Sequence, residues 1–311
     1  MKVAIVGLGV QGRKRRAVAG ADVAAVVDPV ADGADFRRIE DVPLASYDAA
    51  CVCTPDRAKI AILEYLLTHG KHLLVEKPVI APTNAPIERL KELAERNRTV
   101  CYTAYNHRFE PHIVRLKQVL DSGVLGQVYL AKFFYGNGTA RDVRDSVWRD
   151  EDMGVFPDLA SHLLDWTLFL FGTPTAAPVV SAAHRFENRA FDHFHFGFEG
   201  RPALDFEMTL LSWRNTFRCD VFAEKGSAHI DCLCKWGPSI FTLRTRVLPS
   251  GRPVEESERL EMPDPTWVAE YAHFQQLCAR PAHNLDNDLW INTVFNRVRA
   301  SLGLPAPQLG F

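Results

Sequence analysis

Three short groups of residues in this 311-residue chain have types and spacings that suit small-molecule chemistry. The first is the G-x-G-x-x-G string at 7–12, which directly follows an apolar run. Between a strand and a helix, its glycines permit a tight turn, close approach of a pyrophosphate and close helix–strand packing. The helix that starts there would direct unpaired N–H groups and a positive dipole at the phosphates. The string predicts a dinucleotide site formed by Gly7, Gly9, Val10, Gln11 and Gly12.

Asp28 ends the next apolar run, sixteen residues after Gly12. A carboxylate at this place accepts hydrogen bonds from the ribose hydroxyls of adenosine, and its charge repels a 2′-phosphate. The following residue is Pro29 rather than an arginine that would bind that phosphate. Asp28 therefore favours NAD as the cofactor, with NADP as the alternative. The basic run at 13–16 is expected to be a solvated helix face.

The second group is Glu76-Lys77-Pro78, at the end of another apolar run. Open α/β sheets bind ligands at the carboxyl ends of their strands. Pro78 stiffens the turn and biases Lys77 away from helical geometry. Lys77 is thereby expected near a nicotinamide, where an amine can carry a proton.

The third group lies on an apolar helix and comprises Asp158, His162 and Asp165. Asp158 and His162 are four residues apart and are predicted to share one face near the amino-terminal turn. Ionisable groups on a mostly buried helix need partners or a cavity. A structural His–Asp pair is the alternative to a catalytic role.

The elements that must position these groups change character along the chain. The first 120 residues alternate short apolar strands with helical patterns at 57–69 and 86–97, which is typical of a doubly wound parallel sheet. After Gly126, seven strand candidates follow one another with short turns, as in an antiparallel sheet. Further helices are predicted at 156–171, 265–280 and 286–302. The sequence predicts a dinucleotide-binding domain at 1–122 and a substrate-binding and oligomerisation domain at 123–311.

Taken together, these groups resemble the Gfo/Idh/MocA oxidoreductase family. The resemblance rests, in family order, on GLGVQG (7–12), Asp28, CTP (53–55), EKP (76–78), YNHRF (105–109) and G-x-x-x-D-x-x-x-H-x-x-D (154–165). The chain departs from the family pattern at Ala160, where glycine is common, and at the single Gly154, where several glycines are common. The resemblance implies a Rossmann domain followed by an α+β domain with a large, mostly antiparallel open sheet.

The resemblance also implies hydride exchange between a nicotinamide and a hydroxyl or keto carbon of a sugar, sugar derivative or cyclitol. Lys77, Asp158 and His162 match the family's catalytic group, with His162 expected as the immediate base and Lys77 as its hydrogen-bonding partner or relay. Positions that line the cofactor correspond to Thr54, Pro55, Glu76 and Lys77. The substrate-binding candidates are Tyr105, Arg108, Arg144, Trp148 and Arg149. The arginines suit a phosphate or carboxylate, and Trp148 can stack on a ring.

Two other functions remain compatible with this resemblance. One is a regulator that binds a dinucleotide without turnover, and the other is a reductase of a non-sugar double bond, as in the biliverdin reductase branch. Both are disfavoured because the lysine, aspartate and histidine are all retained.

Composition excludes several classes of protein. The 36 Lys and Arg against 38 Asp and Glu leave a net charge of −2, so no nucleic-acid partner is expected. No run of 18 apolar residues predicts a membrane span, and the short apolar start followed by basic residues does not resemble a signal peptide. The odd count of seven cysteines and the absence of C-x-x-C spacing predict free thiols, no metal site and a cytoplasmic protein. A sheet with one open face predicts a homodimer or homotetramer.

Overall fold

A computed structural model describes residues 1–146 and 149–307 and divides the chain into two compact units. The first unit comprises Met1–Asn106, Thr266–Asn296 and the described residues from Ala306; the second comprises His107–Pro265 and Arg297–Pro305. The sequence instead predicts a single change of domain after residue 122. The difference arises because a late helix packs on the first sheet, where Tyr271 and Phe274 join its apolar core.

The predicted helices and strands occur in the predicted order, and further elements occur between them. The strands are β1 (Val3–Val6), β2 (Val23–Val27), β3 (Ala49–Val52), β4 (His72–Glu76), β5 (Cys101–Ala104), β6 (Val128–Gly136), β7 (Pro178–His184), β8 (His193–Phe198), β9 (Ala203–Thr209), β10 (Thr216–Ala223), β11 (Gly226–Asp231), β12 (Ser239–Val247) and β13 (Gly251–Leu260). The α-helices are α1 (Val10–Ala19), α2 (Asp56–Thr68), α3 (Ala85–Asn97), α4 (Pro111–Asp121), α5 (Ala140–Arg144), α6 (Ser161–Phe171), α7 (Thr266–Ala279) and α8 (Leu285–Ser301). Shorter 3₁₀ segments lie at Gly20–Asp22, Ile39–Asp41, Leu44–Ser46, Asn106–Phe109 and Cys234–Trp236, and a π-helical turn spans Phe156–Ala160.

The first unit contains a five-stranded parallel sheet in the order β2-β1-β3-β4-β5. Its strands are mostly apolar because both faces are covered. Val3 and Ile5 pack on one face with α7, whereas Ala4 and Val6 pack on the other with α2 and α3. This arrangement confirms the predicted Rossmann domain.

The second unit contains an eight-stranded sheet in the order β13-β12-β11-β10-β6-β9-β8-β7. Its neighbours pair antiparallel except for β6 and β9, which run parallel, so the prediction of a mostly antiparallel sheet is confirmed. Phe194, Phe196 and Phe198 point inward and are at most 2% exposed. They join an aromatic layer in which the Phe196 and Phe206 rings lie 5.0 Å apart.

The other face of this sheet carries a row of polar residues. Asp205, Lys132, Asp220 and His229 occupy directly paired positions on β9, β6, β10 and β11. The His229 ring contacts the Asp220 carboxylate at 2.6 Å. This face therefore carries a row of charged and polar groups across four strands. Within the described ranges, no helix is long and apolar enough to cross a membrane.

Candidate functional site

The glycine turn between β1 and α1 is shaped by close backbone contacts. Gly7 has a φ of 94°, and a Cβ there would lie 2.6 Å from the carbonyl oxygen of Cys53. A Cβ at Gly12 would overlap the carbonyl oxygen of Gly7. The turn and α1 can therefore pack this closely only because these two residues have no side chain. Gly9 differs, because a Cβ there would meet no protein atom within 4 Å. The space beside Gly9 is open to a ligand.

The start of α1 and the adjoining strand end fit a dinucleotide phosphate. No side chain caps the first turn of α1, so its N–H groups remain directed outward, and Val10 is 68% exposed. Beside the turn, the hydroxyl of Thr54 is buried without a hydrogen-bond partner among the described residues. A buried hydroxyl of this kind is costly unless a ligand completes its bonding. Pro55 follows Thr54 directly and precedes α2.

Asp28 lies at the end of β2 and is 9% exposed. The N–H groups of Leu8, Val30 and Ala31 donate to it at 2.7, 3.0 and 2.8 Å. Burial alone would raise the pKa of Asp28, but these hydrogen bonds and the charge of Arg37 together lower it. A carboxylate has about four acceptor sites, so room remains for a ribose hydroxyl.

Arg37 is a second charged group at this position that the sequence analysis missed. Its guanidinium donates to the carbonyl oxygens of Asp28 at 3.3 Å and Ala31 at 3.0 Å. An arginine near this acidic residue is the group that accommodates a 2′-phosphate in NADP-binding proteins. Arg37 therefore brings a positive charge to the end of β2 beside Asp28.

Arg15 corrects the expectation that the basic run at 13–16 is a solvated face. Arg13, Lys14 and Arg16 are exposed, but Arg15 is 1% exposed. Its guanidinium pairs with Glu76 at 2.6 Å and Glu270 at 2.7 Å, and it lies 4.3 Å from the ring centre of Trp267. Although burial disfavours the charge, the two carboxylates raise the pKa of Arg15 above its ordinary value. The Glu76 side chain is therefore held by Arg15.

Lys77 follows Glu76 at the carboxyl end of β4 and is half-buried. The Lys77–Pro78 peptide bond is cis. The carbonyl groups on either side of Lys77, those of Glu76 and Pro78, both accept hydrogen bonds from the buried ammonium of Lys59 on α2. Lys77 thus lies with the glycine turn in the first unit, whereas Asp158 and His162 belong to the second.

In the second unit, the π-helical turn at Phe156–Ala160 continues directly into α6. Asp158 lies in this turn, so its four-residue spacing to His162 on α6 is not a regular α-helical step. The Asp158 side chain is 43% exposed and lies 3.8 Å from a guanidinium nitrogen of Arg149. These two predicted site residues are brought together. His162 is buried, at 6% exposure.

An aromatic cluster surrounds His162. Its ring stacks on that of His107 at 4.0 Å between centroids and 25° between planes, and the Tyr135 ring lies 6.5 Å away. The indole N–H of Trp166 donates to the carbonyl oxygen of His107 at 3.0 Å. Burial, with the charges of nearby carboxylates, raises the pKa of Tyr135, so its hydroxyl stays protonated at neutral pH.

Lys235 connects this cluster to a carboxylate. Its ammonium lies 3.0 Å from Nε2 of His107 and 3.0 Å from the Asp264 carboxylate. An ammonium only donates, so Nε2 of His107 accepts and the proton of the neutral ring is on Nδ1. No sequence pattern predicts a role for His107, Lys235 or Asp264. The YNHRF run contains His107, but a lone lysine 128 residues further along gives no local signal.

The remaining predicted substrate residues have internal partners or fall outside the described residues. Tyr105 is fully buried, and its hydroxyl donates to Asp288 at 2.9 Å. Arg108 donates two hydrogen bonds of 2.7 Å to Asp165. Burial raises the pKa of Asp165, although the Arg108 guanidinium opposes this shift. Arg144 donates to Glu187 at 3.0 Å at the surface. Trp148 lies outside the described residues.

The chain matches two models of one protein family. Residues 1–105 match the model described as "Oxidoreductase family, NAD-binding Rossmann fold", and residues 113–229 match "GFO/IDH/MocA C-terminal domain". The chain therefore belongs to the Gfo/Idh/MocA oxidoreductase family, as the resemblance of its motifs predicts.

Two relatives by sequence and one solved structure are similar to this chain. The uncharacterized oxidoreductase YdgJ of Escherichia coli is 33% identical over 152 residues, which are 48% of this chain and 43% of YdgJ. Inositol 2-dehydrogenase of Rhizobium meliloti is 28% identical over 152 residues, or 49% and 45% of the two chains. The matches thus span less than half of these relatives. A solved structure of levoglucosan dehydrogenase in complex with NADH shares the fold, with a TM-score of 0.81, 15% identity and 99% coverage of both chains.

Proposed function

We propose that this protein is a nicotinamide-dependent dehydrogenase that interconverts a hydroxyl and a keto carbon of a sugar, sugar derivative or cyclitol. The observation that carries the proposal is the coexistence, in one member of this family, of an open dinucleotide turn and an intact lysine, aspartate and histidine. The names of the inositol and levoglucosan dehydrogenases support the polyol class of substrate.

The first unit supplies the groups that would hold the cofactor. The backbone of Gly7–Gly12 and the first turn of α1 would bind the pyrophosphate, and Asp28 would accept from the adenosine ribose. Thr54, Pro55 and Glu76 would line the site beside Lys77. The preference for NAD over NADP rests on Asp28, against the opposing charge of Arg37. When bound, the nicotinamide supplies the hydride acceptor or donor.

The residues of this chain would handle the proton. In the oxidative direction, the substrate carbon loses a hydride and its hydroxyl loses a proton, which leaves a ketone. His162 would take the hydroxyl proton, and Lys77 would hydrogen-bond the same oxygen or relay the proton. Asp158 would orient the substrate. Tyr135 would not take the proton, because its raised pKa keeps the hydroxyl protonated.

The experiment is an absorbance assay of nicotinamide reduction by the full chain with a panel of cyclitols, neutral sugars, sugar acids and nucleotide sugars. With a substrate in hand, Lys77→Met and His162→Ala should each lose about 10²–10⁴-fold in kcat, the usual contribution of a general acid or base. Exposed Lys225→Met and His69→Ala are the matched controls and should retain normal turnover. Calorimetry should show nearly unchanged NADH affinity in Lys77→Met.

The same assay distinguishes the alternatives. Tight NADH binding without turnover of any panel member would favour a regulator. Cofactor oxidation with a conjugated double bond, and none with ketones, would favour the other reductase branch. Near-normal turnover of Lys77→Met or His162→Ala would refute the role given to that residue. Binding of NADP tenfold tighter than NAD would refute the assignment of Asp28.

We further propose that the substrate is anionic, as a sugar acid or nucleotide sugar is. Arg149 beside Asp158, Arg144 nearby in sequence and Trp148 are the candidate contacts. An anionic substrate should bind more tightly than its neutral counterpart at low salt and lose that advantage in Arg144→Ala or Arg149→Ala. Equal affinity for the neutral compound would refute this substrate class.

The assembly and location of the protein are also proposals. A homodimer or homotetramer would form through the open face of the eight-stranded sheet, and light scattering of the full chain tests it. All seven cysteines are free in the structure. Free, mostly buried thiols suit the reducing cytoplasm, where we expect the protein to act.

A further inference from the structure

We propose that Lys59 is a positioning residue for Lys77. The inference rests on the proposed function, in which Lys77 contacts the reacting oxygen. Lys59 itself lies within the first unit and is 3% exposed. Lysine is almost never fully buried unless its charge is paired, so its contacts define its role.

The ammonium of Lys59 has three N–H donors, and three acceptor groups lie around it. It donates to the Asp56 carboxylate at 2.6 Å, to the carbonyl oxygen of Glu76 at 2.9 Å and to that of Pro78 at 2.6 Å. Every N–H of the ammonium therefore has a partner. The two carbonyl groups belong to the residues immediately before and after Lys77. One buried cation thus fixes the main chain on both sides of the proposed catalytic lysine.

This contact differs from the ion pair that holds the side chain of Glu76. Arg15 grips only the side chain of Glu76 and leaves the main chain at Pro78 untouched. Asp56 holds Lys59 one helical turn away on α2, with its side chain 40% exposed. Beyond the pairing of Glu76 with Ala104 in the sheet, Lys59 therefore restrains the main chain from which the Lys77 side chain leaves. Because a misplacement of about 1 Å can lower a rate by about 10²-fold, loss of these hydrogen bonds should lower the rate of the reaction.

The test compares four full-length proteins: the wild type, Lys59→Met, Lys59→Gln and the control Arg57→Met. Arg57 is an exposed cation on the same helix. The glutamine amide is polar but has only two N–H donors on a shorter side chain, so Lys59→Gln cannot replace all three hydrogen bonds of the ammonium; it serves as the second variant if Lys59→Met is too unstable. Thermal melting and NADH affinity establish which variants are folded.

The first measurement needs neither substrate nor cofactor. Reductive dimethylation with labelled formaldehyde gives each accessible lysine an NMR signal, and the signal of Lys77 is the one missing from Lys77→Arg. In folded Lys59→Met or Lys59→Gln, this signal should shift and broaden, whereas Arg57→Met should leave it unchanged. The second measurement is steady-state kinetics. Loss of the ammonium should lower kcat on the order of 10²-fold with KM within about twofold.

Each outcome decides between the two proposals. An unchanged Lys77 signal with wild-type kcat in a folded variant would overturn the positioning role. Unfolding of both variants would also overturn it, since Lys59 would then be only a stabilising residue. A shifted signal together with full turnover in Lys77→Met would retain the positioning of Lys77 and refute its catalytic role. If the wild type has no turnover with any substrate, the NMR comparison alone tests the positioning role of Lys59.

Discussion

Replacement of Arg15 by methionine tests the buried ion pairs that hold Glu76 and α7. The side chain of Arg15 is 1% exposed, and those of its partners Glu76 and Glu270 are 11% and 0% exposed. Methionine keeps much of the apolar volume but leaves two buried carboxylates without a cation. Removal of one partner from a buried pair costs about 3–5 kcal/mol in the free energy of unfolding. The lost contact with the Trp267 ring adds about 0.5–2 kcal/mol.

The assay is urea unfolding followed by tryptophan fluorescence, which Trp267 reports from beside the substituted residue. With a slope of about 2 kcal/mol per molar urea, the combined loss of about 3.5–7 kcal/mol lowers the midpoint by about 1.8–3.5 M. The matched control is Arg16→Met, because Arg16 is the exposed neighbour on the same helix. It should change the free energy of unfolding by at most about 0.5 kcal/mol.

A double variant separates the charge effect from a general loss of packing. In Arg15→Met/Glu270→Gln, one of the orphaned charges is also removed. The double variant should therefore be at least about 1 kcal/mol more stable than the sum of the single effects predicts. A midpoint for Arg15→Met equal to that of Arg16→Met would show that the buried pairs do not stabilise the fold.

Three further predictions concern the two units. Gly9→Ala should keep the wild-type melting temperature but weaken NADH binding, whereas Gly12→Ala should lower both the melting temperature and the affinity for NADH. Differential scanning fluorimetry and calorimetry measure these two quantities. An equal loss of stability in the two variants would contradict the open space at Gly9. Because the pKa of Asp28 is lowered in the folded state, its ionised carboxylate stabilises the fold above about pH 4, and this contribution is lost as the pH falls further. In acid titration, Asp28→Asn should therefore lose less stability below about pH 4 than the wild type does. Parallel stability curves would contradict this prediction. Lys235→Met should remove the tautomer preference of His107, seen in its imidazole nitrogen NMR shifts; unchanged shifts would exclude the contact.

The periodic elements were predictable from the sequence because local patterns determine them. Strands β1 to β5 are short apolar runs between helical patterns, which is why the sequence predicts them. Strand β13 was missed because its residues are nearly all exposed and mostly polar or charged, so no alternation marks it. Helix α4 was missed as well, although its buried residues have helical spacing.

The candidate site was predictable only where a motif carries it. The glycine turn, Glu76-Lys77-Pro78 and the Asp158–His162 segment each have a local signature. The buried charges do not, because their partners are distant in sequence: Arg15 meets Glu76 across 61 residues, and Lys59 reaches Pro78 across 19. A basic run on a helix is usually solvated, and no nearby residue indicates that Arg15 is the exception.

Strand β13 ends the eight-strand order, so one of its sides has no neighbour within that sheet. A long exposed strand in this position can pair with a strand of another chain and start uncontrolled association. Here Glu255, Glu256 and Glu258 lie along the strand, with Pro253 near its start. Repulsion between like charges and the missing N–H of proline oppose such pairing. The charged and polar composition that leaves β13 without a strand pattern thus also opposes aggregation of the protein edge to edge.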